Sequence, residues 1–217
     1  MIHTLEADSI QLQFGHRVIL SNIYIKAGTG AITGLLGRNG EGKSCLMKII
    51  YGSLACEKSV RFDNVARHEA FKRPDLLLYL PQFNFIPRSL SLKRIFRDFD
   101  LDYAPFAGRF PGFESRYRSS IGRLSGGDRR LVELYVIVKS KSQFAMLDEP
   151  FSHLSPIQVE KVKELLLEEK ANKGFIITDH LYQHIIDACD DLYVLANGRT
   201  HLTNSPEDIE RLGYARL

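Results

Sequence analysis

The sequence predicts an α/β fold: a mostly parallel sheet with an antiparallel β subdomain at its edge and an inserted helical subdomain. Apolar runs typical of buried strands alternate with helical periodicity, and this alternation favours a parallel sheet. Residues 1–30 differ, because apolar positions such as Ile10, Leu12 and Phe14 alternate there and indicate antiparallel strands. Residues 83–123 lack strand-like runs, and we expect a mobile, mostly helical lobe in that segment.

The remaining elements each have a local signal. Ser155 and Pro156 supply an N-cap and a first-turn proline for a helix, and Gly174 lies just past its expected end. Asn197-Gly198, between two apolar runs, favours a tight hairpin. Buried strands are expected at 31–36, 76–80, 144–147 and 175–178, a small hairpin within 52–75, and helices up to about 51, from 124–128 to about 140, over about 181–188 and from Ser205 onwards.

Length and composition restrict the class of protein. The 217 residues show no repeat, low-complexity tract or linker, so we assign residues 1–217 to one domain, with the helical subdomain inserted at about 83–140. Hydrophobic residues make up 44% and charged residues 25%, which is ordinary for a soluble globular protein. The net charge of +3 is too small to indicate a nucleic-acid partner, and we expect no direct nucleic-acid binding.

Cysteine usage and hydropathy bear on location. The three cysteines have no metal-ligand spacing, which suggests a reducing compartment. No apolar run is long enough to cross a bilayer, and residues 1–6 do not resemble a secretory signal. We therefore expect a cytoplasmic protein that reaches a membrane only through another chain. Six arginines crowd into residues 109–130; a solvated face and a surface for anionic lipid headgroups are both open interpretations.

One octet has the composition of a nucleotide-phosphate cradle. It lies between a buried strand and a segment of helical periodicity, and it consists of Gly37, Arg38, Asn39, Gly40, Glu41, Gly42, Lys43 and Ser44. In the pattern G-x-x-x-x-G-K-[ST], the glycines turn backbone N–H groups onto phosphate oxygens at a helix N-terminus. We expect Lys43 to reach the β- and γ-phosphates of ATP and Ser44 to bind Mg²⁺, with Cys45 beside them in the cofactor site.

Polar side chains follow two further buried strands. Asp148 and Glu149 come directly after one strand. Gln82 follows a second strand, from which one proline separates it. In a nucleotide site a strand-end Asp holds Mg²⁺, and an adjacent acid polarises the water that attacks the γ-phosphate. We therefore assign the metal to Ser44, Gln82 and Asp148, and the general base to Glu149. Gln82 is also a candidate for contact with the attacking water.

Two candidates rest on single residues. His180 follows the strand at 175–178, where it would hydrogen-bond the γ-phosphate; a residue at a helix start is the alternative. Phe14 lies upstream of the phosphate loop and would stack on a base, although a strand aromatic is about as often part of the core.

The order of these motifs resembles an ATP-binding cassette (ABC) ATPase over essentially the whole chain. The matching motifs are Phe14, 37–44, Gln82, 124–128, 144–149 and His180. The segment Ser125-Gly126-Gly127 looks like the signature loop that separates this family from other phosphate-loop NTPases. Within the family, the segments 79–82, 88–91, 124–130, 148–151 and 177–180 are most similar to the lipopolysaccharide-transport ATPase and its lipid-handling relatives.

The resemblance implies a two-fold dimer that sandwiches two ATP molecules. Ser125, Gly126 and Gly127 would then belong to the cofactor site, contacting the γ-phosphate held by a second protomer. The implied partners are an identical or related ATPase and a separate transmembrane permease subunit, which would place the chain on the inner face of the cell membrane. Two positions depart from the family: Ser155 stands where Asp is usual, and Asp128 stands where Gln or Glu is usual.

Two other classes of function remain as alternatives. A soluble cassette protein acting on ribosomes or nucleic acid is suggested by the phosphate loop sequence, but that branch typically has two cassettes in one chain. A regulatory nucleotide-binding module with little turnover is the second, and the presence of Lys43, Asp148, Glu149 and His180 argues against it.

Overall fold

The computed structural model describes residues 2–179, 182–203, 206–212 and 214. The strands are β1 Thr4–Phe14, β2 Arg17–Gly28, β3 Ile32–Leu36, β4 Glu57–Phe62, β5 Val65–Ala66, β6 Leu77–Leu80, β7 Phe144–Asp148, β8 Gly174–Thr178, β9 Asp191–Ala196 and β10 Arg199–Thr203. The helices are α1 Lys43–Tyr51, α2 Leu92–Asp98, α3 Tyr103–Arg109, α4 Gly126–Lys139, α5 Pro156–Glu169, α6 Tyr182–Ala188 and α7 Pro206–Arg211, with 3₁₀ turns at Ala70–Lys72 and Ile121–Arg123. None of the helices in these ranges has the length and apolar character that crossing a bilayer requires.

The larger sheet is mostly parallel, as the sequence predicts. Its strand order is β10-β9-β3-β8-β7-β6; β3, β6, β7, β8 and β9 pair in parallel, and β10 pairs antiparallel with β9. Strands β3, β7 and β8 are buried along their whole length, which explains their continuous apolar runs. The carboxyl ends of β3, β6, β7 and β8 meet at one edge of this sheet, where an α/β fold places its ligands.

The smaller sheet is antiparallel, in the order β2-β1-β4-β5, and it forms the predicted edge subdomain. The inward-facing residues of β1 are Leu5, Ala7, Ile10 and Leu12. Their every-second-residue alternation is interrupted once, between Ala7 and Ile10, because Ser9 adopts φ 53° at a register shift between β1 and β2. The observed sheets and helices confirm the predicted α/β class.

The segment 83–123 is less helical than we expected. Helices α2 and α3 span seven residues each, and turns connect them. Asp100 and Gly112 take φ values of 55° and 102°, which a continuing helix does not allow. Aromatic packing holds the segment together instead: the Phe106 ring centroid lies 4.7 Å from that of Phe113 and 4.9 Å from that of Tyr135 in α4. The mobility of this lobe and the domain assignment stay predictions.

Three local expectations have different outcomes. The Asn197-Gly198 turn is confirmed, with φ values of 52° and 74°. Ser155 caps α5 as predicted, in a capping box with Gln158. Gly174 does not end that helix, which stops at Glu169; it begins β8, where a Cβ would lie 2.6 Å from the Gly28 carbonyl oxygen. The expected helix-start residues Leu181 and Ser205 lie outside the described residues.

Candidate functional site

A cleft of about 390 Å³ lies where α1 begins, beside the carboxyl ends of β6 and β7. The side chains and backbone that line it belong to Phe14, Ile19, Asn39, Gly40, Gly42, Lys43, Ser44, Cys45, Gln82 and Glu149. All of these except Ile19 were predicted as site residues. Phe14, the last residue of β1, is 55% exposed and follows the third register shift of the β1–β2 pair, which lies between Leu12 and Gln13. An exposed ring on the cleft wall is available for stacking on a base.

The phosphate loop folds around the ammonium group of Lys43. Gly40 and Gly42 take φ values of 85° and 104°, a backbone conformation that residues with a side chain rarely adopt. The buried Lys43 Nζ donates hydrogen bonds to the carbonyl oxygens of Gly37 at 2.5 Å and Arg38 at 3.3 Å. Burial lowers the pKa of Lys43, and the nearby carboxylate of Glu149, among others, opposes that shift.

The β9–β10 hairpin supports the phosphate loop from one side. The Glu41 carboxylate accepts a hydrogen bond of 3.1 Å from the backbone N–H of Asn197. Gly37 approaches the same hairpin so closely that a Cβ would lie 2.8 Å from the Leu195 carbonyl oxygen. Arg38 and Glu41 line a depression against this hairpin rather than the cleft. The acid within the octet is therefore tied to the hairpin.

Asp148 is held in a fixed orientation at the end of β7. Its side chain is 1% exposed, and its Oδ2 accepts a hydrogen bond of 2.9 Å from the Tyr79 hydroxyl. Burial raises the pKa of Asp148, whereas hydrogen bonds from Ser44 and Tyr79 lower it. The predicted pair Ser44 and Asp148 therefore lies close together. Tyr79 was not predicted as a site residue, since the sequence shows it only as one more residue of a buried strand.

Gln82 and Glu149 also meet. Gln82 Nε2 donates to Glu149 Oε2 at 2.9 Å, and the Ser152 hydroxyl donates to the same oxygen at 3.2 Å. Glu149 adopts φ 51°, and its backbone N–H donates to the Thr178 carbonyl at 2.7 Å. A positive φ at a residue with a side chain is strained, so the surrounding contacts hold this conformation in place. His180 lies outside the described residues.

Two buried groups beside the acids were missed. Asp179 is fully buried at the end of β8, and its Oδ2 accepts a hydrogen bond of 3.1 Å from the Phe151 backbone N–H. The signal that identified Asp148, an acid directly after a buried strand, is present there too. Arg130, which is 2% exposed in α4, donates to backbone carbonyls at the ends of β6 and β7. No sequence signal distinguishes it from the neighbouring arginines.

The signature loop lies apart from the cleft. Ser125 and Gly126 are exposed, and Ser125 caps α4 by accepting a hydrogen bond of 3.1 Å from the Asp128 N–H. A Cβ on Gly126 would meet nothing within 4 Å, whereas one on Gly127 would lie 2.4 Å from the His153 carbonyl oxygen. The structure therefore does not bring these residues to the phosphate loop of the same chain.

Comparison with known proteins bears on this arrangement. The sequence profile of the ABC transporter family matches residues 20–152 of the chain. The chain belongs to the ABC transporter family. It is 27% identical to the lipopolysaccharide export system ATP-binding protein LptB of Haemophilus influenzae, covering 94% of this chain and 92% of that protein. It is 28% identical to LptB of Escherichia coli, covering 95% and 92%. It is thus a nucleotide-binding subunit of an ABC transporter.

Solved structures of ABC proteins share the fold. An ATP-binding subunit of an ABC transporter superposes with a TM-score of 0.79 at 23% identity, covering 95% of this chain and 92% of that chain. A bacterial Atm1-family ABC exporter with ATP bound gives a TM-score of 0.80 at 19% identity; it covers 97% of this chain but 40% of that longer chain. At these identities, the likeness shows that this ABC transporter subunit has the ABC ATPase fold.

The residues of this ABC transporter subunit suit both ATP and Mg²⁺. The phosphate loop presents backbone and a buried lysine at the N-terminus of α1, which is a favourable place for an anion. Beside it lie a hydroxyl and a carboxylate, from Ser44 and Asp148, and oxygen donors of this kind are what Mg²⁺ prefers. The Gln82 side chain, which carries an amide oxygen, lines the same cleft.

Proposed function

We propose that this chain hydrolyses ATP with Mg²⁺ and drives a separate transmembrane subunit. The single observation that carries the proposal is the hydrogen-bonded pair of Gln82 and Glu149, which lines the same cleft as Lys43 and Ser44. A carboxylate held by an amide, beside a phosphate-binding loop, has the composition of a site that orients and activates water.

Each side chain has a distinct task in this proposal. Lys43 neutralises charge on the β- and γ-phosphates, and its carbonyl contacts hold the ammonium inside the loop. Glu149 accepts a proton from the attacking water, while Gln82 orients that water. Mg²⁺, when bound, supplies positive charge to the phosphates, and Ser44, Asp148 and Gln82 would hold it. His180 is proposed to hydrogen-bond the γ-phosphate, and Phe14 to stack on the base.

The active form in this proposal is a two-fold dimer. Ser125 and Gly126 are exposed and lie away from the cleft, which supports their contact with ATP bound to another protomer. The second protomer is an identical chain or a related ATPase. Binding of ATP favours the closed dimer, and hydrolysis discharges it, so that the transmembrane subunit experiences two alternating states.

We propose lipopolysaccharide or a related lipid as the class of transported substrate, on the basis of the names of the relatives. The chain would then work in the cytoplasm, on the inner face of the cell membrane and attached to its transmembrane partner. A protein acting on ribosomes or nucleic acid is not favoured, because the two LptB relatives are named as ATP-binding proteins of an export system.

Glu149→Gln tests the proposed hydrolysis. The amide keeps the shape of the side chain but cannot accept a proton from water, so we expect turnover to fall by roughly 10²-fold or more, on the scale of general-base contributions. ATP affinity should be retained, because the residue does not bind the phosphates. The variant should also accumulate as a dimer in ATP. Phosphate release, equilibrium ATP binding and analytical ultracentrifugation measure the three quantities.

Glu160→Gln is the matched control, since Glu160 is an exposed acid in α5 that, among the described residues, pairs only with Lys163. This variant should hydrolyse ATP at the wild-type rate. Near-normal turnover in Glu149→Gln would assign the general base to another group. Lack of any ATP hydrolysis by the wild-type chain, alone or with its membrane partner, would overturn the proposed function.

A further inference from the structure

The ends of the two strands that carry Gln82 and Glu149 are joined by one side chain. The Arg130 guanidinium donates to the Pro81 carbonyl at 2.6 Å on one strand and to the Asp148 and Glu149 carbonyls at 2.5 Å and 3.0 Å on the other. The Pro81 carbonyl belongs to the peptide bond that leads into Gln82. Arg130 therefore holds the backbone at both members of the hydrogen-bonded pair.

Burial of this guanidinium indicates a specific role. Arg130 is 2% exposed, and in the described part of the chain its hydrogen bonds go only to backbone oxygens, while its Nε has no partner. Carboxylates around it, from Glu133, Asp148, Asp179 and Glu149, balance the charge at longer range. A planar fork of donors suits two separate carbonyl positions, whereas an ammonium group is a single point charge.

The same residue connects this pair to the signature loop. Arg130 lies in α4, which begins directly after Ser125, and Gly127 of that helix packs against the His153 carbonyl in the loop that follows Glu149. Glu149 itself holds a strained φ of 51°, and the Arg130 bond to its carbonyl is one of the contacts that keep it there. The signature helix and the hydrolytic pair are thus mechanically joined.

We infer that Arg130 is the positioning residue of the Gln82–Glu149 pair, holding both side chains in register for the attacking water and linking them to the signature helix. Its described hydrogen bonds go to the backbone beside these side chains, so it would act through them and not on the reacting atoms. Its loss should lower the rate of the chemical step without weakening ATP binding. The inference rests on the proposed function, because it requires that Glu149 acts in hydrolysis.

Arg130→Lys and Arg130→Met test the inference. We expect kcat to fall by roughly 10- to 100-fold, the scale expected when several bonds from a charged donor are lost, whereas KM and the ATP dissociation constant change by less than about twofold. In the Glu149→Gln background the same substitutions should lower turnover by less than about threefold, because the residue acts through Glu149. Arg130→Lys keeps the buried charge and remains informative if Arg130→Met does not fold.

Lys173→Met is the matched control. Lys173 is also a cation that is 2% exposed, and it donates to the Ser140 carbonyl at the other end of α4. This variant should lower the melting temperature about as much as Arg130→Lys while keeping kcat near the wild-type value.

The outcomes separate this inference from the proposed function. Three outcomes would overturn the positioning role while the chain remains an ATPase. They are a loss of kcat in Lys173→Met equal to that in the Arg130 variants, a full additional loss when Arg130 is replaced in the Glu149→Gln background, or a changed KM with unchanged kcat in the Arg130 variants. A wild-type chain that does not hydrolyse ATP would overturn both.

Discussion

The phosphate loop and the signature loop are both glycine-rich segments that start a helix, but the chain surrounds them differently. The phosphate loop encloses the buried Lys43, contacts the β9–β10 hairpin through Glu41 and lines the cleft. In the signature loop, Ser125 and Gly126 face solvent, and the Ser125 hydroxyl is used for capping α4. The phosphate loop therefore lines a cleft of its own chain, whereas the signature loop is exposed to solvent.

In the proposed dimer, this difference means that a single chain carries two unlike halves of a nucleotide site. The half around Lys43 contains donors for phosphate and metal, and we expect it to bind ATP without help. The half around Ser125 offers a hydroxyl and backbone N–H groups at a helix N-terminus, which suit an anion brought by another molecule. In a two-fold dimer, the half around Lys43 of each chain would meet the half around Ser125 of the other chain. The dimer would then contain two complete sites.

The largest expected effect concerns the phosphate loop alone. Lys43→Ala removes the buried ammonium, and we expect ATP affinity to fall by roughly 10- to 100-fold, the scale of hydrogen bonds to charged groups. The free energy of unfolding should fall by about 1–3 kcal/mol, because the Gly37 and Arg38 carbonyls lose their donor. Calorimetric titration with ATP measures the affinity. Lys48→Ala, in the last turn of the same helix, is the control and should bind ATP normally. Wild-type affinity in Lys43→Ala would contradict the phosphate-loop assignment.

Mixing two defective chains tests whether the halves come from different protomers. Ser125→Asp keeps a good capping residue but sets a negative charge against phosphate, so it should hydrolyse ATP at least about tenfold more slowly. A mixture of Ser125→Asp and Lys43→Ala chains should recover at most roughly a quarter of the wild-type rate, since half of the dimers contain one intact composite site. Activity that never exceeds the sum of the two separate chains would show that each chain builds its site alone.

Adjacent glycines of the signature loop should differ in stability. A Cβ on Gly127 would lie 2.4 Å from the His153 carbonyl oxygen, whereas one on Gly126 would meet no atom within 4 Å. Gly127→Ala should therefore lower the free energy of unfolding by about 1–3 kcal/mol, the range for overpacking. Gly126→Ala should leave it unchanged or raise it slightly, because alanine favours a helix. Urea unfolding of both variants decides the matter, and equal stabilities would contradict the close contact.

The smallest effect is expected at Ser155, where the family usually has Asp. Ser155→Asp retains the cap of α5 and adds the usual charge, so we expect ATP-dependent dimerisation in the Glu149→Gln background to strengthen by a few-fold, on the scale of an exposed charge interaction. Ser155→Asn is the control, because it caps equally well without the charge. Sedimentation velocity with and without ATP measures dimerisation. A tight dimer without nucleotide would contradict this prediction. Equal dimerisation of the Ser155→Asp and Ser155→Asn variants in ATP would contradict it as well.

Local patterns predicted most of the fold because they act over few residues. Alternation, caps and the Asn197-Gly198 turn gave strands, the start of α5 and the hairpin. The segment 83–123 was less accessible, since aromatic contacts with α4 hold it and its own helical periodicity is weak. Gly174 was misassigned because a glycine past a helix and a glycine under a packed ring look the same in sequence.

The candidate site divides in the same way. Lys43 and Ser44 were predictable from spacing within one motif, and the acids at 148–149 from their position after a buried strand. The buried groups that hold those acids, such as Tyr79 and Arg130, were not predictable. The arginine cluster shows why: Arg109 pairs with Glu168, Arg116 pairs with Asp128, and Arg130 is buried. The buried Arg130 belongs to neither a solvated face nor a lipid surface, and both interpretations stay predictions for the exposed arginines of the cluster. Spacing along the chain cannot tell an arginine at a strand end from one in water.

The contact between the phosphate loop and the β9–β10 hairpin has a practical consequence for protein engineering. A two-residue turn between exposed positions is ordinarily an attractive place for a peptide tag or a circular permutation. Here the turn is also a wall of the phosphate loop, since Asn197 donates to Glu41 and the Leu195 carbonyl abuts Gly37. Insertions at residues 197–198 would therefore disturb nucleotide binding from outside the cleft, so an epitope or fluorophore belongs elsewhere.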